Sequence, residues 1–197
     1  MLLDLRVFDA VVVSTDDDEI ADISESAGAT VFGRRPSHLS DDHAGTAAVI
    51  DYELSNIEKH MNISVDSVCT VYPAAVLVRG DAVLRAQRTL SELHLDAVMS
   101  ALPYPAPIER AWTLGPDGTA EMQNPEFQST RSQDLKTAYF DAGQFYWSSR
   151  AYWSTIATGI PTKKQRVGLS VLKPWEAVDI DTPEDWELAE RLYRLAH

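Results

Sequence analysis

The sequence predicts an α/β domain built on a doubly wound, mostly parallel sheet with a hairpin excursion. Short apolar runs rich in β-branched residues alternate with amphipathic helical stretches, the order that puts helices on both faces of a sheet. The alternation breaks once, between Pro103 and Lys136, and then resumes. At 197 residues the chain is long enough for one domain with a substantial core. The expected organisation is a single domain over 1–197, with the excursion over 103–136 as an arm.

Val7 to Val13 is apolar and β-branched and reads as a buried strand that ends at Ser14-Thr15-Asp16-Asp17-Asp18-Glu19. Asp16 and Glu19 have capping-box spacing, opening a helix through Ile20, Ile23 and Ala27 that stops at Gly28. Thr30 to Phe32 reads as the next strand, and Arg34 to Asp42 as a polar loop around Pro36. Thr46 to His60 sets Val49, Ile50, Leu54 and Ile57 on one helical face. Val65 to Tyr72 is a strand, Asp81 to Leu93 a helix, and Ala97 to Leu102 a strand. Within the excursion, Gly115-Pro116-Asp117-Gly118 is a turn signal between two segments able to pair as a hairpin. Gln144 to Trp147 and Val167 to Leu172 resume the sheet, and an amphipathic helix from Pro183 to about Leu195 closes the chain.

Seventeen basic against thirty acidic residues give a formal net charge of −13, a poor electrostatic setting for nucleic acid or an anionic bilayer. Neither is an expected partner. The N-terminus has no basic region followed by an apolar one and no apolar run spans a bilayer, so the expected location is the cytoplasm. Cys69, the only cysteine, lies in the apolar run Val68-Cys69-Thr70-Val71 and reads as a small core residue. His38, His43, His60, His94 and His197 have no zinc-site spacing, and no glycine-rich phosphate fingerprint is present. That absence also argues against a nicotinamide-dependent oxidoreductase on a similar sheet.

The most informative stretch is Val178-Asp179-Ile180-Asp181-Thr182-Pro183-Glu184-Asp185-Trp186. In an extended segment Asp179 and Asp181 point to one side and Ile180 to the other. Thr182 can cap the following helix, Pro183 suits its first position, and Glu184 and Asp185 suit its positive end. Two carboxylates at the C-terminal edge of a strand suit Mg²⁺ accompanied by a substrate phosphate, although acidic residues before a helix also occur without any metal. Ser14 to Asp16, Arg131-Ser132-Gln133-Asp134 and Asp141 with Gln144 fall at comparable strand ends or loops. Together they suit an anionic ligand held by metal and guanidinium. Each also has a plain alternative: a surface ion pair for Arg131, a helix cap for Gln133 and Asp134, a turn for Asp141.

Six segments in order carry a resemblance: Ser14–Asp17, Leu39–Asp42, Pro105–Ala111, Thr130–Leu135, Asp141–Trp147 and Asp179–Trp186. Together they resemble the acylneuraminate cytidylyltransferase family, and most closely its pseudaminic acid branch, over nearly the whole chain. The resemblance implies a nucleotide-diphospho-sugar transferase type of fold, CTP and a nine-carbon acidic sugar as substrates, Mg²⁺ dependence, and a homodimer in which the excursion reaches across the partner. It implies further that Asp179 and Asp181 hold Mg²⁺ on the CTP phosphates. By the same resemblance Ser14 and Asp16 lie beside the nucleotide, and Arg131, Gln133, Asp141 and Gln144 approach the sugar acid, with Arg131 among the catalytic groups.

Two departures from the family pattern accompany it. Its members open with a strand and a loop rich in glycine and basic residues, whereas this chain starts at what resembles the second strand. Tyr72-Pro73 stands where they carry threonine and proline, which removes an expected hydroxyl. The alternative reading is therefore a non-catalytic member that binds a sugar acid or a protein partner.

Overall fold

The computed structural model describes residues 1–41, 43–159 and 164–196, so Asp42 and His197 lie outside the described residues. In chain order the elements are α1 (Asp18–Ser26), α2 (Thr46–Met61), β1 (Ser67–Val71), α3 (Gly80–Glu92), β2 (Ala97–Pro103), β3 (Trp112–Leu114), β4 (Ala120–Met122), β5 (Tyr139–Ser149), α4 (Arg150–Thr158), β6 (Val167–Val171) and α5 (Pro183–Ala196). The main sheet has the order β1-β5-β2-β6. β5 runs antiparallel to both β1 and β2, while β2 and β6 are parallel. Three strands thus share one direction, as a mostly parallel sheet requires, and β5 alone opposes them.

Alternation along β5 builds the two layers. Phe145 and Trp147 pack with Val83, Ala86 and Leu90 of α3, and the Trp147 indole N–H donates to the Val83 carbonyl at 2.9 Å. Tyr146, between them, faces the other way into the cluster of Ile50 and Leu54 from α2 and Trp153 from α4. Burying a side chain such as Phe145 or Leu54 stabilises by about 1.5–3 kcal/mol. Arg150 reinforces the α2–α4 layer, pairing with Asp51 at 2.6 Å and Glu58 at 3.4 Å. α5 closes a third cluster, in which Ala189 and Leu192 meet Leu77, Val178 and Ile180.

The predicted hairpin forms: Trp112 pairs with Met122, Thr113 with Glu121 and Leu114 with Ala120. Gly118, at φ +82°, closes its turn by donating to the Gly115 carbonyl at 3.0 Å.

Three local expectations are corrected. Val7–Val13 and Thr30–Phe32 are not ladder strands, because they meet at one isolated parallel bridge, Val12 to Thr30. The cap of α1 is Asp17, which accepts from the Ile20 N–H at 2.9 Å, because Asp16 is drawn instead to Arg35 at 3.2 Å. Ile20 and Ile23 are exposed, and the buried residue of α1 is Ala21. Val178–Asp181 does not join the sheet; packing of Val178 and Ile180 against Leu77 and α5 holds it. α4 was not foreseen. No helix among the described residues is long and apolar enough to cross a membrane.

Candidate functional site

The site is built where β5 breaks its register with β2. Met99 faces Tyr146 and Ala101 faces Asp141, so residues 142–145 of β5 oppose Ser100 alone. A bulge of this kind re-aims side chains that a regular ladder would alternate. Ser100, fully buried, accepts from the N–H groups of both Gln144 and Phe145, at 3.2 and 3.0 Å. Gly143 adopts φ +62°, a left-handed conformation that glycine takes without steric penalty.

Beside this bulge passes the segment that carries the acidic pair. The Asp179 carboxylate rests against Gly143, where a Cβ would stand 2.7 Å from Oδ1 and 3.1 Å from Oδ2. Gln144 ties the two segments together, its amide nitrogen donating to the carbonyls of Ala142 at 2.9 Å and Val178 at 3.0 Å. Asp141 lies on the same bulge, accepting from the Gly143 N–H at 3.0 Å and from the Tyr146 phenol. After Asp181 the chain enters α5 through a reciprocal cap. Thr182 Oγ1 accepts from the Asp185 N–H at 3.3 Å, and the Asp185 carboxylate accepts from the Thr182 N–H at 2.9 Å.

The electrostatics are those of clustered like charge. Partial burial, then the charges of Asp181, Asp141 and Asp185, push the Asp179 carboxyl above the usual carboxylate range. Burial and the Asp141 hydrogen bond push the Tyr146 phenol up, so it remains a proton donor at neutral pH. Hydrogen bonds with Thr182 hold Asp185 below its ordinary value. Among the described residues neither Asp179 nor Asp181 forms an ion pair with a basic side chain. Such a pair fits a divalent cation. Among the described residues, however, no three or more acidic, histidine or cysteine side chains form a ready-made cage. Asp179 and Asp181 could therefore hold such a cation only alongside ligands from outside the protein.

The other sequence-predicted residues are distributed unevenly. Ser14 donates its hydroxyl to Glu53 of α2 at 2.7 Å, and Asp16 is paired with Arg35, so both have protein partners. Arg131 and Gln133 are exposed in the loop before β5, where Arg110 reaches Ser132 at 3.4 Å. Gln144 is only 1% exposed, with its amide nitrogen already engaged.

Sequence reasoning missed three contributors. Tyr72 stands edge-on to Tyr146 with ring centroids 5.9 Å apart and acts on its phenol, so the position read as lacking a hydroxyl carries a phenol. Ser100 and Gly143 were also missed; the signal for them was a glycine inside an otherwise strand-like run.

The family model described as cytidylyltransferase matches residues 1–196. The pseudaminic acid cytidylyltransferase of Campylobacter jejuni subsp. jejuni serotype O:2 is 32% identical over 195 residues, covering 99% of this chain and 82% of that protein. The CMP-N,N'-diacetyllegionaminic acid synthase of Legionella pneumophila is 28% identical over 194 residues, covering 94% of this chain and 78% of its own. Among solved structures, a CMP:2-keto-3-deoxy-manno-octonic acid synthetase in complex with CTP superposes with a TM-score of 0.65 at 12% identity, covering 99% of this chain and 85% of that one. At that identity the likeness shows the nucleotide-sugar transferase fold.

Proposed function

The chain belongs to the cytidylyltransferase family, and from that premise we propose that it transfers CMP from CTP to a nine-carbon acidic sugar of the pseudaminic type, releasing pyrophosphate. The observation that carries this reading is the pair Asp179 and Asp181. These two carboxylates have no basic partner among the described residues, Asp179 rests against Gly143 in the bulge of β5, and a capped helix follows Asp181 at once. The substrate assignment draws on the Campylobacter relative, whose similarity spans almost the whole chain.

In this reading the anomeric hydroxyl oxygen of the sugar attacks the α-phosphorus of CTP in line. The bond to pyrophosphate breaks and the hydroxyl proton leaves to solvent. Asp179 and Asp181 would hold Mg²⁺, which when bound withdraws charge from the phosphate oxygens. Ser14 and Asp16 serve the nucleotide, and the exposed Arg131 and Gln133 meet the sugar carboxylate, where a guanidinium can form two parallel hydrogen bonds. Asp141, fixed by Gly143 and Tyr146, presents an acceptor to the sugar hydroxyls or amides. The proposal includes a homodimer, supported by a hairpin that exposes Trp112 by 59% and Leu114 by 73%.

A second reading, binding without turnover, is favoured by the engagement of Ser14 and Asp16 with Glu53 and Arg35. Thermal melting with CTP tests the first, because a ligand that binds only the folded state raises Tm. A rise that requires Mg²⁺ is expected. No rise in the folded chain counts against the cytidylyltransferase reading.

A further inference from the structure

Gln144 is a buried polar residue whose role follows from what it joins. Its backbone N–H is held by Ser100, and its amide nitrogen donates to Val178, the residue immediately before Asp179, across 34 positions of sequence. The second amide proton goes to Ala142, so both donors face backbone carbonyls. The remaining amide oxygen is buried and meets no hydrogen-bond donor among the described residues. An acceptor left so is costly to bury, so packing alone would be better served by an apolar side chain of the same length. What an apolar side chain cannot do is hold the Val178 carbonyl. Because the Val178–Asp181 segment has no strand partner, this bond is a direct link between it and the sheet at the point where Asp179 meets Gly143.

We propose that Gln144, seated by Ser100, is a positioning residue that sets the Asp179 carboxylate for a divalent cation bound with the nucleotide. The proposal rests on the reading of Asp179 and Asp181 as cation ligands, and it gives Gln144 a task inside the protein in place of contact with the sugar. Groups that orient a metal ligand characteristically change cation affinity by roughly 10–100-fold when removed, while leaving the ligand itself in place.

The experiment uses the full chain and Mn²⁺ as a paramagnetic probe, with free Mn²⁺ followed by electron paramagnetic resonance in the presence of CTP. Gln144→Met removes both donors and the orphaned oxygen while keeping volume, so its Tm should change little. Its Mn²⁺ half-saturation should rise about tenfold. Trp147→Phe is the control: it deletes another buried side-chain-to-backbone bond of β5, to Val83, and should lower Tm without moving Mn²⁺ half-saturation. Should Gln144→Met not fold, Ser100→Ala carries the test through the other half of the seat and should weaken Mn²⁺ in the same direction. Unchanged half-saturation in the folded Gln144→Met chain, or in Ser100→Ala where that variant is needed, overturns the positioning role alone. Absence of CTP-dependent Mn²⁺ binding by the unaltered chain overturns the cation reading on which it rests.

Discussion

The Asp179 carboxylate lies against the Cα of Gly143, so close that a Cβ on residue 143 would stand 2.7 Å from Oδ1. Two distant parts of the chain meet at this contact: the bulge of β5, and the extended segment that feeds α5. Substituting Gly143 by alanine imposes a side chain at φ +62° and pushes the carboxylate away. The conformational part alone costs about 1 kcal/mol. Gly143→Ala should therefore unfold at lower urea concentration and lose most of its Mg²⁺-dependent CTP stabilisation. Retention of full CTP stabilisation would show that the contact has no bearing on the site.

Removing charge from Asp179 should separate stability from function. Burial and the neighbouring carboxylates raise its folded-state value above that of the unfolded chain. A raised carboxyl binds more protons folded than unfolded. Its contribution is therefore fully present below the ordinary carboxylate value and is lost as pH rises through the folded value. At neutral pH without metal, the Asp179 charge then works against the folded state, and only weakly, because the residue is exposed. Asp179→Asn should melt at the same or a higher temperature than the unaltered chain at pH 7 without metal, and should lose less stability between pH 4 and pH 7. Its turnover should fall on the order of 10²-fold or more. Melting curves across pH and a pyrophosphate-release assay read the two effects separately.

The cap of α5 should contribute both to stability and to the placement of the acidic pair before it. Thr182 and Asp185 exchange hydrogen bonds at the first turn, and Thr182→Ala removes one side of that exchange. A loss of about 1 kcal/mol in urea unfolding is expected. Because Asp181 immediately precedes the cap, a fall in cation affinity should accompany it.

Cys69 should be inert in the native state. Burial pushes its thiol up to about 12, leaving almost no thiolate at neutral pH. A thiol reagent at pH 8 should label the chain only after denaturant is added; rapid labelling of the folded protein would contradict this burial.

Much of the fold was legible because helices announce themselves through period and punctuation. Asn62 and Gly28 stand just past α2 and α1, and the buried Ile50 and Leu54 of α2 recur at helical spacing. β5 was only partly legible. Its first half, Tyr139 to Gly143, contains an aspartate and a glycine that weaken strand signals, and period-two alternation carries no information about strand direction. α4 was missed because it follows β5 with no intervening turn and its aromatic pair Tyr152-Trp153 has modest helix propensity.

At the site, the acidic pair and its helix cap were visible as a local pattern. The partnership of Asp179 with Gly143 and of Gln144 with Val178 was not, because both cross more than thirty residues and depend on a register break opposite Ser100. Asp16 was misassigned as a cap for a related reason: its partner, Arg35, lies beyond the helix that Asp17 opens.

The measurement that bears most directly on the central claim is ³¹P nuclear magnetic resonance of the purified chain with CTP, Mg²⁺ and pseudaminic acid. The account predicts that the triphosphate signals give way to pyrophosphate and a single phosphodiester resonance of the CMP-linked sugar, and that omitting either the sugar acid or Mg²⁺ prevents both. Unchanged CTP signals from a folded chain, with the Campylobacter enzyme converting the same mixture, would contradict it.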